Sequence, residues 1–240
     1  MKRILLLSLI MFRASGHDVI TTKVTFDREI IRLFNTHCIS CHQSGGQAFS
    51  LTTYQEARPW AKAIGEEVLR RRMPPWGAVK GFGDFRNDQG LTPEQLELIV
   101  DWEEGGAPEG EPSDIPQQVE RPPELQFSRP ADELVISGDT KLTRTLVLGA
   151  LWPANIPDGA SFQTTAELPD GRVYPLIWLH DYKMKFNHPF LLRGPLQLPA
   201  GTLVRGVPPA AKMGLIPAAD VPPPPKPKGG QLPQSTAHAE

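Results

Sequence analysis

The chain contains two cysteines, and both lie in one five-residue motif, Cys38-Ile39-Ser40-Cys41-His42. Small exported domains that depend on disulfides carry several cysteines spread along the chain, and this sequence does not. Of its 240 residues, 40% are hydrophobic, which is enough to bury a core in one large domain or in two ordinary ones. The fold must therefore be held by apolar packing, and the two thiols are left for another role.

The C-x-x-C-H motif is typical of covalent haem attachment. In that chemistry each thiol adds to a vinyl group of the porphyrin, and the adjacent histidine, here His42, becomes an axial ligand of the iron. A zinc site or a dithiol redox site stays open as an alternative. Zinc favours four ligands, whereas the sequence has no second cysteine pair, and a dithiol site favours a βαβ unit, which no pattern here indicates. We therefore predict one haem c held covalently by Cys38 and Cys41.

An electron-carrying haem of this type also needs a sixth ligand, and a thioether ligand raises its reduction potential. Met73 is the candidate, because two prolines follow it and restrict the backbone there. The alternative is that Met73 only fills a core, as methionine commonly does. The substitutes all lie in the second half of the chain: His180, Met184, His188 and Met213.

The N-terminus has the composition of a secretory signal. Met1-Lys2-Arg3 precedes a short apolar run and small residues, so we predict a signal peptide over residues 1–16 and a periplasmic or otherwise exported protein. A buried N-terminal helix is the alternative. The apolar run is about half as long as a membrane-spanning helix needs, and we expect no integral membrane span. The net charge of −2 offers no basic surface to nucleic acid, so we expect no nucleic-acid partner. The predicted haem implies a redox protein as electron donor or acceptor.

Hydrophobic periodicity divides the chain into a helical part and a β-rich part. Residues 24–110 carry three segments with helical spacing. Residues 111–130 are rich in Pro, Glu and Gln, which predicts a linker. Residues 131–217 carry short apolar or alternating runs between turn residues, which predicts an antiparallel β-sandwich. Residues 218–240 are rich in proline and predict a disordered tail.

Local signals place several elements within these parts. We predict an amphipathic helix over residues 26–34, a second from about Thr53 to Arg71, and a third that begins with the N-cap Thr92 and ends before Gly105. The predicted strand runs are residues 134–136, 142–148, 161–168, 172–179, 186–192 and 202–207. Pro169-Asp170-Gly171 predicts a hairpin turn. The predicted fold class is therefore α + β, with an all-α N-terminal domain and a β-sandwich.

Four segments of the helical part carry a resemblance to a known family. They are residues 37–42, Ala57-Arg58-Pro59-Trp60-Ala61-Lys62, Arg72-Met73-Pro74-Pro75-Trp76 and residues 102–110. Together they resemble the small cytochrome c domain of many bacterial multidomain proteins. The resemblance implies a cytochrome c domain over residues 24–110, with His42 and Met73 as axial ligands.

The β-rich part carries a second resemblance. Its segments are Ser161-Phe162, residues 168–172, Asp181-Tyr182, Phe186-Asn187 and residues 198–202. They resemble the C-terminal domain of copper type II ascorbate-dependent monooxygenases, a jelly-roll-like β-sandwich often fused to such cytochromes. That family carries a His-x-His pair at positions where this chain has Ala154 and Ile156, whose side chains do not coordinate copper. We therefore expect no copper.

These patterns lead to one leading hypothesis and two alternatives. The leading one is an exported c-type cytochrome that carries one haem and transfers single electrons. The alternatives are a haem-containing subunit or domain of a monooxygenase-like redox enzyme and a haem-based ligand sensor. The absent copper ligands favour a carrier over an enzyme. The site residues are Cys38 and Cys41 as haem links and His42 and Met73 as iron ligands, with no catalytic residue assigned.

Overall fold

The computed structural model describes residues 22–116, 127–131 and 133–224. Within these ranges no helix is both long enough and apolar enough to cross a lipid bilayer. The predicted signal peptide lies outside the described residues, as do residues 117–126 of the predicted linker and 225–240 of the predicted tail. The described residues form two compact units: residues 22–70 with 91–116, and residues 71–90 with 127–131 and 133–224. The fold is mixed α + β, with short helices and two antiparallel sheets.

The described helices of the first unit are short. A π-helical turn, Phe26–Ile30, continues into α1 (Ile31–His37), and the later elements are α2 (Tyr54–Ala57), a 3-10 turn Arg58–Trp60, α3 (Ala61–Leu69), α4 (Pro93–Glu104) and a 3-10 turn Pro112–Asp114. Thr92 caps α4 in a capping box with Gln95, which confirms the predicted helix start. The single helix predicted from Thr53 to Arg71 is wrong in detail, because a 3-10 turn at Pro59 interrupts it and proline has no backbone N–H to donate.

An aromatic cluster forms the core of the first unit. The wholly buried rings of Phe34 and Trp102 meet edge to face, with 6.2 Å between their centroids. Phe26 packs on both, at 6.0 Å and 6.1 Å. The indole N–H of Trp102 donates a hydrogen bond to the Pro108 carbonyl at 3.0 Å. Because α1 carries Phe34 and ends at His37, this packing fixes the start of the cysteine motif.

The described residues of the second unit form eight strands. They are β1 (Leu134–Ile136), β2 (Thr140–Lys141), β3 (Leu146–Asn155), β4 (Ala160–Glu167), β5 (Val173–Tyr182), β6 (Phe190–Leu198), β7 (Leu203–Arg205) and β8 (Lys212–Pro217). One antiparallel sheet has the order β1-β8-β3-β6 and the other β2-β7-β4-β5. Buried residues of both sheets form one hydrophobic cluster. The two antiparallel sheets of the β-rich part are as predicted.

The sequence patterns find most of these strands. Each of the six predicted runs overlaps one strand, and the predicted hairpin turn joins β4 to β5, where the Gly171 N–H donates to the Leu168 carbonyl at 2.9 Å. The patterns miss β2, which has two residues, and β8, which contains Gly214 and ends at Pro217. Glycine and proline are turn signals, so the sequence of β8 does not predict a strand. In the fold, β8 is a strand because it pairs with β1 and β3.

Residues 71–90 belong to the second unit, whereas the sequence pattern groups them with the helical part. The Val79 N–H donates to the Trp178 carbonyl on β5 at 2.8 Å, and the Arg86 N–H donates to the Leu191 carbonyl on β6 at 2.9 Å. β5 and β6 are each the last strand of their sheet. The segment therefore supplies hydrogen-bond partners to an edge strand of both sheets, which would otherwise present unpaired backbone groups.

Two aromatic side chains anchor the same segment in the β unit's core. Trp76 and Phe85 are only 3% and 5% exposed and belong to the hydrophobic cluster shared by both sheets. The Trp76 ring stacks on His188 at 4.6 Å and meets Phe190 edge to face at 4.8 Å. Burial of this size explains why the segment packs with the sheets, since a buried aromatic ring contributes strongly to a core.

Candidate functional site

The cysteine motif follows α1 as a helical turn. The Cys38 N–H donates to the Phe34 carbonyl at 2.8 Å, and the N–H groups of Cys41 and His42 both donate to the Cys38 carbonyl, at 3.1 Å and 2.9 Å. Residues three and four positions apart on such a turn lie on the same side of it. The local fold thus brings Cys38, Cys41 and His42 together, which are three of the four residues predicted to form the site.

The ring of His42 is oriented by a backbone carbonyl. Its Nδ1 atom lies 3.0 Å from the carbonyl oxygen of Phe49. Because a carbonyl oxygen only accepts hydrogen bonds, Nδ1 carries the proton and donates it, which leaves the lone pair of the neutral ring on Nε2. Histidines that bind metals are commonly supported in this way, since the bond fixes the ring and raises its basicity. This arrangement leaves Nε2 of His42 available as a ligand atom.

Exposed aromatic surface adjoins this ring. Phe49 and Trp60 stack with 4.3 Å between centroids and an angle of 25°, and each is 44% exposed. The Phe49 ring also meets the His42 ring edge to face at 4.9 Å. Large aromatic side chains are normally covered, so an exposed stack marks a surface suited to a flat apolar group. A porphyrin has that shape and polarity.

The Cys38 thiol has the ionisation behaviour of a buried group. Both cysteines are free thiols, and although Cys38 is partly exposed as a residue, its sulfur is buried. This burial, with a smaller effect from Cys41, raises the pKa of the Cys38 thiol to about 12. A dithiol redox site needs a thiol with a lowered pKa. A thioether has no ionisable proton, so the buried position suits a thioether better than a dithiol redox site.

The loop after the motif folds back on it. The Ala48 N–H donates to the Cys41 carbonyl at 3.2 Å, and the Leu51 N–H donates to the His42 carbonyl at 3.0 Å. Leu51 is buried and anchors the end of the loop. The role of Phe49 was missed by sequence reasoning, because a backbone carbonyl leaves no signal in residue type. The only local signal was the Thr53-x-x-Glu56 spacing of a capping box just beyond the loop.

Met73 lies in the segment 71–90 and is partly buried. This segment belongs to the second unit, whereas the cysteine motif belongs to the first. Its assignment as the sixth ligand stays a prediction from the sequence.

The substitute ligands lie in different surroundings within the second unit. Met213 is wholly buried in the hydrophobic cluster, and His180 is exposed on β5. His188 is partly exposed as a residue, but burial of its ring lowers the pKa of the imidazole, and its Nε2 lies 3.1 Å from the Trp76 carbonyl. Within the part of the chain that the structure describes, no three His, Cys, Asp or Glu side chains are grouped as a metal site would require. Haem iron does not need such a group, since the porphyrin supplies most of its ligands.

No protein-family model, curated protein or solved structure matches this chain. The functional argument therefore depends on the chemistry of the chain's own residues.

Proposed function

We propose that this chain is an exported c-type cytochrome that holds one haem through thioether links to Cys38 and Cys41 and passes single electrons to and from redox proteins. The observation that carries the proposal is the hydrogen bond from His42 Nδ1 to the Phe49 carbonyl, on the same turn as two free thiols. When bound, the haem supplies an iron centre that changes its oxidation state by one electron.

Each residue of the site has a defined task in this proposal. Cys38 and Cys41 would hold the haem through thioether links, and His42 would bind its iron through Nε2. The rings of Phe49 and Trp60 exclude water from the surroundings of His42, and low polarity around a haem is one of the factors that set its reduction potential. The site needs no substrate pocket for this function.

The second unit is, in this proposal, a jelly-roll-like β-sandwich related to the C-terminal domain of copper type II ascorbate-dependent monooxygenases. The supporting observation is the arrangement of eight antiparallel strands in two four-stranded sheets. Ala154 lies on β3, and Ile156 is buried in the hydrophobic cluster. Neither side chain binds copper, so copper chemistry is not part of the proposal.

The first experiment tests covalent haem. The full-length chain is expressed together with a c-type maturation system, and the purified protein is analysed by absorption spectroscopy, intact mass and metal content. We expect a coloured protein with a mass increase of one haem, one iron per chain and no copper. N-terminal sequencing should show cleavage after Gly16. A colourless protein, or pigment removed by acidified organic solvent, contradicts the proposal, and stoichiometric copper favours a redox enzyme instead.

Variants assign the individual residues. The double change of Cys38→Ala and Cys41→Ala should abolish covalent attachment, whereas each single change should leave haem joined by one bond. His42→Ala should alter the haem spectrum, because the axial imidazole is lost. His180→Ala changes an exposed histidine on β5 that is a substitute for the sixth ligand, and it should leave the spectrum unchanged if Met73 is that ligand. A wild-type haem spectrum in His42→Ala would remove His42 from its role.

The sixth ligand is tested separately. If Met73 binds the iron, Met73→Ala should open the sixth position, so that the reduced protein binds carbon monoxide and the reduction potential falls, since a thioether ligand raises it. Met184→Ala removes another partly buried methionine, which is a substitute for the sixth ligand, and it should leave the spectrum and the potential unchanged if Met73 is the ligand. An unchanged spectrum and potential in Met73→Ala would show that another group, or none, occupies the sixth position.

A further inference from the structure

Glu56 accepts several hydrogen bonds on one carboxylate oxygen. Its Oε2 atom accepts from the Thr52 hydroxyl at 2.7 Å, from the Ser50 hydroxyl at 2.8 Å, and from the N–H groups of Thr52 and Thr53 at 3.1 Å each. The Glu56 N–H in turn donates to the Thr53 hydroxyl at 3.3 Å, which completes a capping box at the start of α2. These hydrogen bonds lower the pKa of Glu56 to about 2, and the bond from the Thr52 side chain has the largest effect, followed by the bond from Ser50. One ionised carboxylate therefore restrains residues 50–53.

The restrained segment begins at the peptide that orients His42. The carbonyl of Phe49 and the nitrogen of Ser50 belong to the same planar peptide unit, so the orientation of Ser50 determines where the Phe49 carbonyl points. Ser50 is restrained through its hydroxyl by Glu56, and Leu51 is restrained through its backbone bond to His42. Ser50, whose hydroxyl donates to Glu56, thus directly follows Phe49, whose carbonyl accepts from His42 Nδ1.

We propose that Glu56 is a positioning residue for the haem: by holding the Ser50–Thr53 segment it fixes the Phe49 carbonyl against His42 Nδ1 and thereby lowers the reduction potential. This inference depends on the proposed function. Glu56 touches neither the cysteines nor the His42 ring in the described contacts, so it acts through the peptide between them.

The direction of the effect follows from the chemistry of the ligand. A hydrogen bond from Nδ1 to a carbonyl makes the imidazole a more basic ligand. A more basic ligand stabilises the oxidised iron relative to the reduced iron and lowers the potential. When the Phe49 carbonyl is less firmly positioned, the hydrogen bond from His42 Nδ1 becomes weaker on average. The reduction potential of the haem should then rise.

Three variants with attached haem test the inference by potentiometric titration. Glu56→Ala removes every acceptor and should give the largest positive shift in potential. Glu56→Gln should give a smaller shift, since an amide oxygen still accepts hydrogen bonds and glutamine also completes a capping box. Thr52→Val removes one donor to Glu56 without changing the charge, and should also give a positive shift.

Glu66→Ala is the matched control. Glu66 is exposed on α3 in the same unit, so the change removes an equal charge without touching the Ser50–Thr53 segment. Loss of negative charge anywhere near a haem raises the potential, and this control measures that contribution. We expect the positive shift in reduction potential to be clearly larger in Glu56→Ala than in Glu66→Ala.

The outcomes separate this inference from the proposed function. Two results with haem-bearing variants would overturn the role of Glu56. In the first, Glu56→Ala shifts the reduction potential no more than Glu66→Ala does, and in the second, Thr52→Val has the wild-type potential. Either result would leave the proposed cytochrome function intact. If Glu56→Ala does not mature, Glu56→Gln and Thr52→Val decide the matter. A wild-type chain without covalent haem removes the proposed function, and the inference with it.

Discussion

Trp76 and Trp102 are both almost completely buried, at 3% and 0% exposure, but they lie in the cores of different units. Trp76 packs with Phe85, His188 and Phe190 beneath the sheets, and Trp102 packs with Phe26 and Phe34 between the helices. Trp76→Ala should therefore destabilise the β unit, and Trp102→Ala should destabilise the helical unit. The pair tests the finding that residues 71–90 fold with the sheets.

The expected size follows from burial. Truncation of a buried tryptophan to alanine costs about 3–5 kcal/mol, which is the lost transfer energy together with the cavity that remains. Since about 1.4 kcal/mol changes an equilibrium tenfold, the amides that exchange only through unfolding of the affected unit should exchange roughly 140-fold to 3700-fold faster. Trp60→Ala is the control, because Trp60 is 44% exposed and its loss should cost about 1 kcal/mol, mainly from the stack on Phe49.

Hydrogen exchange followed by mass spectrometry of peptides measures both units in the same chain. In Trp76→Ala, peptides from β3, β5 and β6 should lose protection. In Trp102→Ala, peptides from α1 and α4 should do so. The reasoning is refuted if Trp76→Ala leaves the strand peptides unchanged and deprotects α1 and α4, because residue 76 would then contribute to the helical core, as the sequence pattern suggests.

Two further changes test local electrostatics and backbone geometry. Burial, followed by repulsion from neighbouring carboxylates, raises the pKa of Asp27; the neighbours are Glu109, Asp114 and Glu111. The folded state thus disfavours the ionised carboxylate, so the free energy of unfolding falls as the pH rises from the unfolded-state pKa of Asp27 through its higher folded-state pKa. In thermal unfolding, Asp27→Asn should therefore stabilise the protein by a few tenths of a kcal/mol at pH 7 and should have no effect below about pH 3. Equal effects at both pH values would contradict this. Gly206 has a φ of +92°, and an added Cβ would lie 1.9 Å from the Gln163 carbonyl oxygen, so Gly206→Ala should cost more than about 3 kcal/mol in denaturant unfolding. Gly138→Ala, at a φ of +65° with open space around it, should cost only about 1–2 kcal/mol, and similar costs for both would show that the close approach is unimportant.

The features that sequence reasoning predicted well depend on residues close together in the chain. The capping box of Thr92 and Gln95 marks the start of α4, and the Pro169-Asp170-Gly171 turn joins β4 to β5. The turn that gathers Cys38, Cys41 and His42 is equally local, since its hydrogen bonds span three and four residues. In each case the residue types carry the information, because the interacting groups are neighbours before any tertiary structure forms.

The features that it missed depend on surfaces that exist only in the folded chain. Residues 71–90 pack with the sheets because β5 and β6 offer edge backbone groups and the core accepts Trp76, and neither condition can be read from that segment alone. The acceptor for His42 is likewise a main-chain carbonyl, at Phe49, and the hydroxyl of the next residue, Ser50, donates to the carboxylate of Glu56. The amino-acid sequence by itself determined which groups are available for chemistry and where regular structure begins. The tertiary structure decided which of those groups meet, because hydrogen bonds to backbone atoms and packing against sheet edges are set by position in space rather than by residue type.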